Sequence, residues 1–239
     1  MTDLSDKCCK YRSEQPYFHS SNSVVRARQK GYIEEDLEAL SPGPVDWDAN
    51  PDRTPLDLPT LFGGKPVWLE VGFGGGEHMV HQAAQNPDVG IIGCEPYING
   101  MAKILVQIEA QNIGNIRLVA GDAAELLNWA PSQSLKRIDL IHPDPWPKKK
   151  HWKRRFVQDA TLATMARVLA PQGEFRFVCD IESYVAWTLW HVTRSPAFVW
   201  LAERADDWRL PWPNYTMTRY GRKATREGRK ASYLMFRLK

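Results

Sequence analysis

Five acidic residues are spaced so that one fold could gather them. Glu70, Glu95, Asp122, Asp144 and Asp180 each close or follow a short β-prone run: Val67–Val71, Ile91–Cys94, Ile116–Val119, Ile138–Ile141 and Phe175–Val178. One acid at a strand end is commonly a helix N-cap. Five in series predict a shared negative rim, because open α/β sheets bind ligands beyond the carboxyl ends of their strands. Crowded carboxylates raise one another's pKa, so such a rim favours a cationic or hydroxyl-rich ligand. The first run leads into Glu70-Val71-Gly72-Phe73-Gly74-Gly75-Gly76, whose glycines permit a tight turn and close approach to a ligand. The dinucleotide fingerprint needs glycine at position 77, where Glu77 stands, so a pyrophosphate is not expected. Glu95, 19 residues after Gly76, is placed for ribose hydroxyls. A nucleoside cofactor with positive charge and no pyrophosphate meets both conditions. S-adenosylmethionine, with its ammonium and sulfonium, is such a molecule.

A second constellation follows the fourth run. His142-Pro143-Asp144-Pro145-Trp146-Pro147 leads into Lys148–Arg155 (KKKHWKRR), six Lys/Arg without an acid. The prolines stiffen the turn by fixing φ and hold Asp144 beside the basic run. Arg219–Lys230 adds six more Lys/Arg against Glu227 alone. The whole chain carries only +3, so outside these two segments it is acidic, with eight acids and one base in residues 31–60. One basic run is usually a solvated face. Two in an otherwise acidic chain point to a polyanion. Lys and Arg supply sequence-independent affinity for nucleic acid, and Trp146 and Trp152 offer faces for an exposed base, although either could equally be core.

The elements that must position these groups alternate. Strand-like runs are separated by helical spacings at Val80, Ala83 and Ala84, at Ile98–Ile108, at Ala123–Trp129 and at Leu162–Leu169, the last ended by Pro171 and Gly173. Val185, Leu189 and Val192 mark a further helix, and Phe198–Leu201 and Tyr233–Leu238 read as strands. The expected architecture is α/β and Rossmann-like: a mostly parallel twisted sheet with helices on both faces and an antiparallel edge pair. Residues 1–64 read as an arm or appendage with a short helix near Ile33–Leu40, and 65–239 as the main domain. A length of 239 residues with 43% hydrophobic and 25% charged residues excludes a wholly disordered chain. No apolar run reaches the ~18 residues of a membrane span. Cys8, Cys9, Cys94 and Cys179 show no CxxC spacing, so neither a zinc site nor a disulfide framework is expected. A reducing cytoplasm is the simplest location.

These residues resemble the bacterial tRNA (guanine-N7)-methyltransferases, class I enzymes that use S-adenosylmethionine and usually modify guanine 46 of the variable loop. The resemblance spans roughly residues 65–239. Its most specific piece is PDPWPKKKHWKRR (Pro143–Arg155), supported by EVGFGGGEH (Glu70–His78), GCEP (Gly93–Pro96), GDA (Gly121–Ala123), Cys179-Asp180 and TRYG (Thr218–Gly221). It implies cofactor contacts by Glu70, Gly72, Gly74, Glu95, Asp122 and Asp144, with Asp144 catalytic. Lys148, Asp180 and Thr218, Arg219, Tyr220 and Gly221 are implied to contact substrate, and Lys150, His151, Trp152, Lys153, Arg154 and Arg155 to contact RNA. The implied partner is tRNA, with no membrane and no metal, in a monomer or homodimer.

Two departures stand out. The family's late motif reads T-x-x-E, whereas Gly221 occupies the last position here. The family's basic N-terminal arm is poorly matched, Arg26, Arg28 and Lys30 being the nearest candidates. The alternatives are a non-catalytic tRNA-binding relative and a class I methyltransferase acting on a small molecule.

Overall fold

In the computed structural model the described residues are 36–45, 48, 50–52 and 54–239. The basic-arm candidates Arg26, Arg28 and Lys30, with Cys8 and Cys9, lie outside them; of the expected early helix, 36–39 are helical. Seven strands form one sheet in the order β3-β2-β1-β4-β5-β7-β6. They are β1 (Val67–Val71), β2 (Gly90–Cys94), β3 (Ile116–Val119), β4 (Leu135–Ile141), β5 (Leu169–Cys179), β6 (Phe198–Trp200) and β7 (Ser232–Leu238). The first five are mutually parallel, and β7 runs antiparallel to both β5 and β6. The chain order reverses between β1 and β4, the switch point at which an α/β sheet opens a crevice.

Helices cover both faces. Helices α1 (Leu58–Phe62), α4 (Ala123–Trp129), α5 (Asp159–Val168) and α6 (Glu182–Arg194) lie on one face. There they bury Leu69, Ile138, Leu140, Phe175, Phe177 and Phe236 against Leu126, Leu162, Met165 and Tyr184. Each such side chain removed from water contributes roughly 1.5–3 kcal/mol. Leu56, Leu58 and Phe62 belong to this core, and Leu56 N–H bonds Trp129 O, so packing begins before Lys65. On the opposite face α2 (Glu77–Gln85) and α3 (Ile98–Gln111) pack Met79, Val80, Met101 and Ile104 onto Ile91, Ile116 and Leu118. Short helices α7 (Asp206–Arg209) and α8 (Arg219–Arg226) precede β7. Among the described residues no helix is long and apolar enough to cross a membrane.

The expected helix end at Pro171 and Gly173 is instead a distortion within β5. Helix α5 stops at Val168 and the strand starts at once. Gln172 takes a left-handed φ of 63°, and the β4–β5 register jumps from Leu135↔Leu169 to Arg137↔Glu174. Proline's missing N–H is tolerated at such an irregularity.

Candidate active site

The glycine loop is pinned from three sides. Gly74 and Gly76 take φ of 60° and 83°, a region that L side chains avoid. Glu95, 4% exposed and just past β2, accepts Gly74 N–H at 2.8 Å and Tyr97 N–H at 3.0 Å. These bonds fix the carboxylate's orientation. Burial raises its pKa, and the nearby Asp144 raises it further. From α3, Gln107 donates to Gly75 O at 2.6 Å. Gly100 in the first turn of α3 lies so close that a Cβ would sit 2.4 Å from Gly74 O.

Three further acids stand at the strand ends. Asp122 is exposed and caps α4, accepting Ala124 N–H at 2.9 Å. Asp144 is exposed as a residue, yet burial of its carboxyl raises its pKa. Asp180 is held by two donors: Arg229 Nε at 2.6 Å and His142 Nδ1 at 3.0 Å. Burial alone would raise the Asp180 pKa, but these bonds outweigh it and hold it below the ordinary range. The cation that lowers the Asp180 pKa is Arg229, and among the described residues no ion pair joins Lys148 to Asp144 or Asp180. Above the rim, Thr218 caps α8 by accepting Gly221 N–H at 3.1 Å. Tyr220 of the same turn lies over the loop, its ring 3.2 Å from where a Gly74 Cβ would stand. Arg219 stacks on Tyr220 at 5.2 Å.

Glu70 departs from the expected rim. Side chains alternate across a strand, and the β1–β4 register sets Glu70 against Asp139 and Trp68 against Arg137 on the face beneath α2. Glu70, 2% exposed, bonds His78 Nδ1 at 2.7 Å. Arg137 pairs with Asp139 at 2.8 Å, donates to Gln82 at 3.0 Å and stacks 3.4 Å from the Trp68 ring centre. Ligating atoms of Glu70, His78 and Asp139 lie within 4.8 Å of one another. Their charges are already matched by His78 and Arg137, so the group reads as an internal network. Glu70 therefore anchors the start of α2 from below, one layer under the rim.

The basic run forms a 3₁₀ turn over Lys149–Arg154. Lys148, Lys149, Lys150, Lys153 and Arg154 are exposed, with His151 and Trp152 half-buried. Trp146, at a φ of 42°, carries the Arg154 guanidinium 4.9 Å over its ring. Arg155 corrects an expectation. It is 1% exposed, donates to Pro145 O, Ser183 O and Ser183 Oγ at 2.8–3.1 Å, and packs on Trp152, Tyr184 and Trp187. With all its donors directed inward it ties the turn to α6 and offers nothing to RNA.

Comparison with known proteins decides the family. The family described as "Putative methyltransferase" matches residues 64–234. A tRNA (guanine-N(7)-)-methyltransferase of Nitrobacter hamburgensis is 66% identical over 215 residues, 89% of this chain and 82% of the relative. One of Bradyrhizobium diazoefficiens is 72% identical over 171 residues, 72% of each chain. This chain belongs to the tRNA (guanine-N(7)-)-methyltransferase family. Among solved structures, the 16S rRNA methyltransferase KamB matches with a TM-score of 0.51 at 16% identity, covering 73% of this chain and 88% of its own. TrmN from Thermus thermophilus matches with a TM-score of 0.51 at 15% identity, covering 76% of this chain and 47% of its own. These likenesses show the fold.

For a tRNA (guanine-N(7)-)-methyltransferase with this fold, S-adenosylmethionine is the implied cofactor, and the cleft fits it. The glycine loop turns its one side chain, Phe73, into the core, Glu95 is oriented at its edge, and Gly100 allows α3 close approach to the loop. Sequence reasoning missed Gly100, although a glycine three residues into a helix is a signal of close packing. It also missed Tyr97 and Ile98, 50% and 45% exposed, which add apolar surface directly after Glu95.

Proposed function

We propose that this chain transfers a methyl group from S-adenosylmethionine to N7 of guanine in tRNA, at guanine 46 of the variable loop, in the cytoplasm. One observation carries the reading: Asp144, close enough to Glu95 to raise its pKa, directly precedes an exposed lysine run, in a chain 66% identical to a named relative. Cofactor contacts are assigned to Gly72, Gly74, Glu95, Asp122 and Asp144, and RNA contacts to Lys150, Lys153 and Arg154 with Lys148 at the cleft's edge. When bound, the cofactor supplies an electrophilic methyl group. Guanine N7 keeps a free lone pair at neutral pH, so no residue need remove a proton there. Positive charge develops on the purine during the transfer, and the fixed carboxylates of Asp144 and Asp180 oppose it while holding the base in position. The folded tRNA must unstack locally to present that base.

The test is mapping of 7-methylguanosine in tRNA incubated with the protein and methyl-labelled cofactor. Label confined to position 46 is expected. Label in a small acceptor, at another base, or nowhere overturns the reading.

A further inference from the structure

Resting on that reading, we infer that His142 selects the target base: its Nε2 accepts a hydrogen bond from the N1–H or 2-amino group of guanine. The ring sits at the carboxyl end of β4, two residues before Asp144. Its backbone takes a left-handed φ of 51°, and its N–H bonds Val178 O at 2.8 Å, so it is locked between the ends of β4 and β5. Asp180, ionised by its bond from Arg229, accepts from Nδ1 at 3.0 Å. Nδ1 therefore carries the proton. Burial keeps the ring neutral against the pull of Asp180, which leaves Nε2 as a lone pair.

That lone pair is unused. The side chain is 3% exposed, and Nε2 is buried with no hydrogen-bond partner among the described residues. Buried polar atoms are nearly always paired, and an orphan demands a partner from elsewhere. Its wall is the first turn of α8. A Cβ on Gly221 would stand 3.1 Å from Nε2 and 3.1 Å from Met217 Cγ, so any residue larger than glycine here would crowd Nε2. Met217, 40% exposed, lies beside the same Gly221 position at the segment leading into α8. The same turn places Tyr220 over the glycine loop, so ligand entry and exposure of Nε2 involve one element. Asp144, Asp180 and the His142 lone pair all accept. An edge made of N–H donors suits them, as guanine provides. Adenine would set its N1 lone pair against theirs.

The experiment uses tRNA in which the target guanosine is replaced by inosine, lacking the 2-amino group, or by 2-aminopurine, lacking N1–H; both keep N7. Single-turnover methyl transfer by the wild type should slow about tenfold on one of them, the loss of one buried hydrogen bond. His142→Phe should slow about tenfold on guanosine and discriminate against that analogue by less than about twofold, as a coupled pair requires. His142→Gln, which retains an acceptor, should keep discrimination, and Gly221→Ala should lose it while binding S-adenosylmethionine normally by calorimetry. The last two variants carry the test if His142→Phe fails to fold. Wild-type discrimination persisting in both His142→Phe and Gly221→Ala, or no discrimination in the wild type, overturns the inference. A wild type that methylates no guanosine in tRNA overturns the proposed function itself and this inference with it.

Discussion

Asp144 and Asp180 are both rim carboxylates, yet their surroundings divide them. Asp180 is paired with Arg229 and His142, which hold its pKa below the ordinary range. Asp144 has burial acting on it in the opposite sense and stands free to meet a ligand. Asp144→Ala should therefore lower the single-turnover methyl-transfer rate by about 10²–10³, the effect of removing one fixed electrostatic partner, while tRNA affinity changes little. A rate within about threefold of the wild type would remove Asp144 from the reaction. The residue scale also shows how far type and spacing can mislead. Glu70 and Arg155 have the chemistry expected of a cofactor ligand and a phosphate contact. Glu70 is turned by strand alternation onto His78, and Arg155 is consumed by Pro145, Ser183 and three aromatic rings.

The 3₁₀ turn Lys149–Arg154 is the element on which RNA binding is proposed to rest. It is held by its ends, not by its own charges. Arg155 fastens it to α6, and Tyr184 Oη accepts Phe156 N–H at 2.9 Å. The lysines are thus outward while their support is buried. Changing Lys149, Lys150 and Lys153 together to Gln should weaken tRNA binding and reduce the slope of log K against log salt by about two to three, roughly 0.9 per lost phosphate contact. Cofactor binding by calorimetry should be unaffected. An unchanged salt slope would take this turn off the RNA surface. The turn, α7 and α8 went unseen in the sequence because these short, highly charged segments lack the apolar period that marks a helix. Helix α8 is defined instead by the Thr218 cap and by its contacts on Gly74 and His142.

Across the whole molecule, the two sheet faces are unlike. One buries an apolar core; the other carries the buried Glu70, His78, Arg137 and Asp139 beneath α2. Burial alone would lower the His78 pKa, but the Glu70 carboxylate at 2.7 Å outweighs it and raises it. A raised folded-state value means that this stabilisation is complete below the ordinary imidazole pKa of about 6.5 and is lost as pH rises through the folded value. The difference in urea midpoint between the wild type and His78→Asn should accordingly be largest below about pH 6.5 and shrink as the pH rises above it. A difference constant with pH would show that His78 is neutral in the fold.

Much of this was written in the chain itself. Alternating apolar runs and helical spacings dictated the parallel sheet, because backbone pairing and burial leave few other solutions for such a pattern. The position of each acid after its strand dictated which end of the sheet would be charged, and the clustering of lysines dictated a basic neighbour. Tertiary structure alone decided which of those groups face outward. Register put Glu70 under α2, aromatic packing drew Arg155 inside, and a bare α-carbon at Gly221 met a histidine 79 residues earlier in the chain. Such pairings join residues far apart in sequence, and no local pattern encodes them.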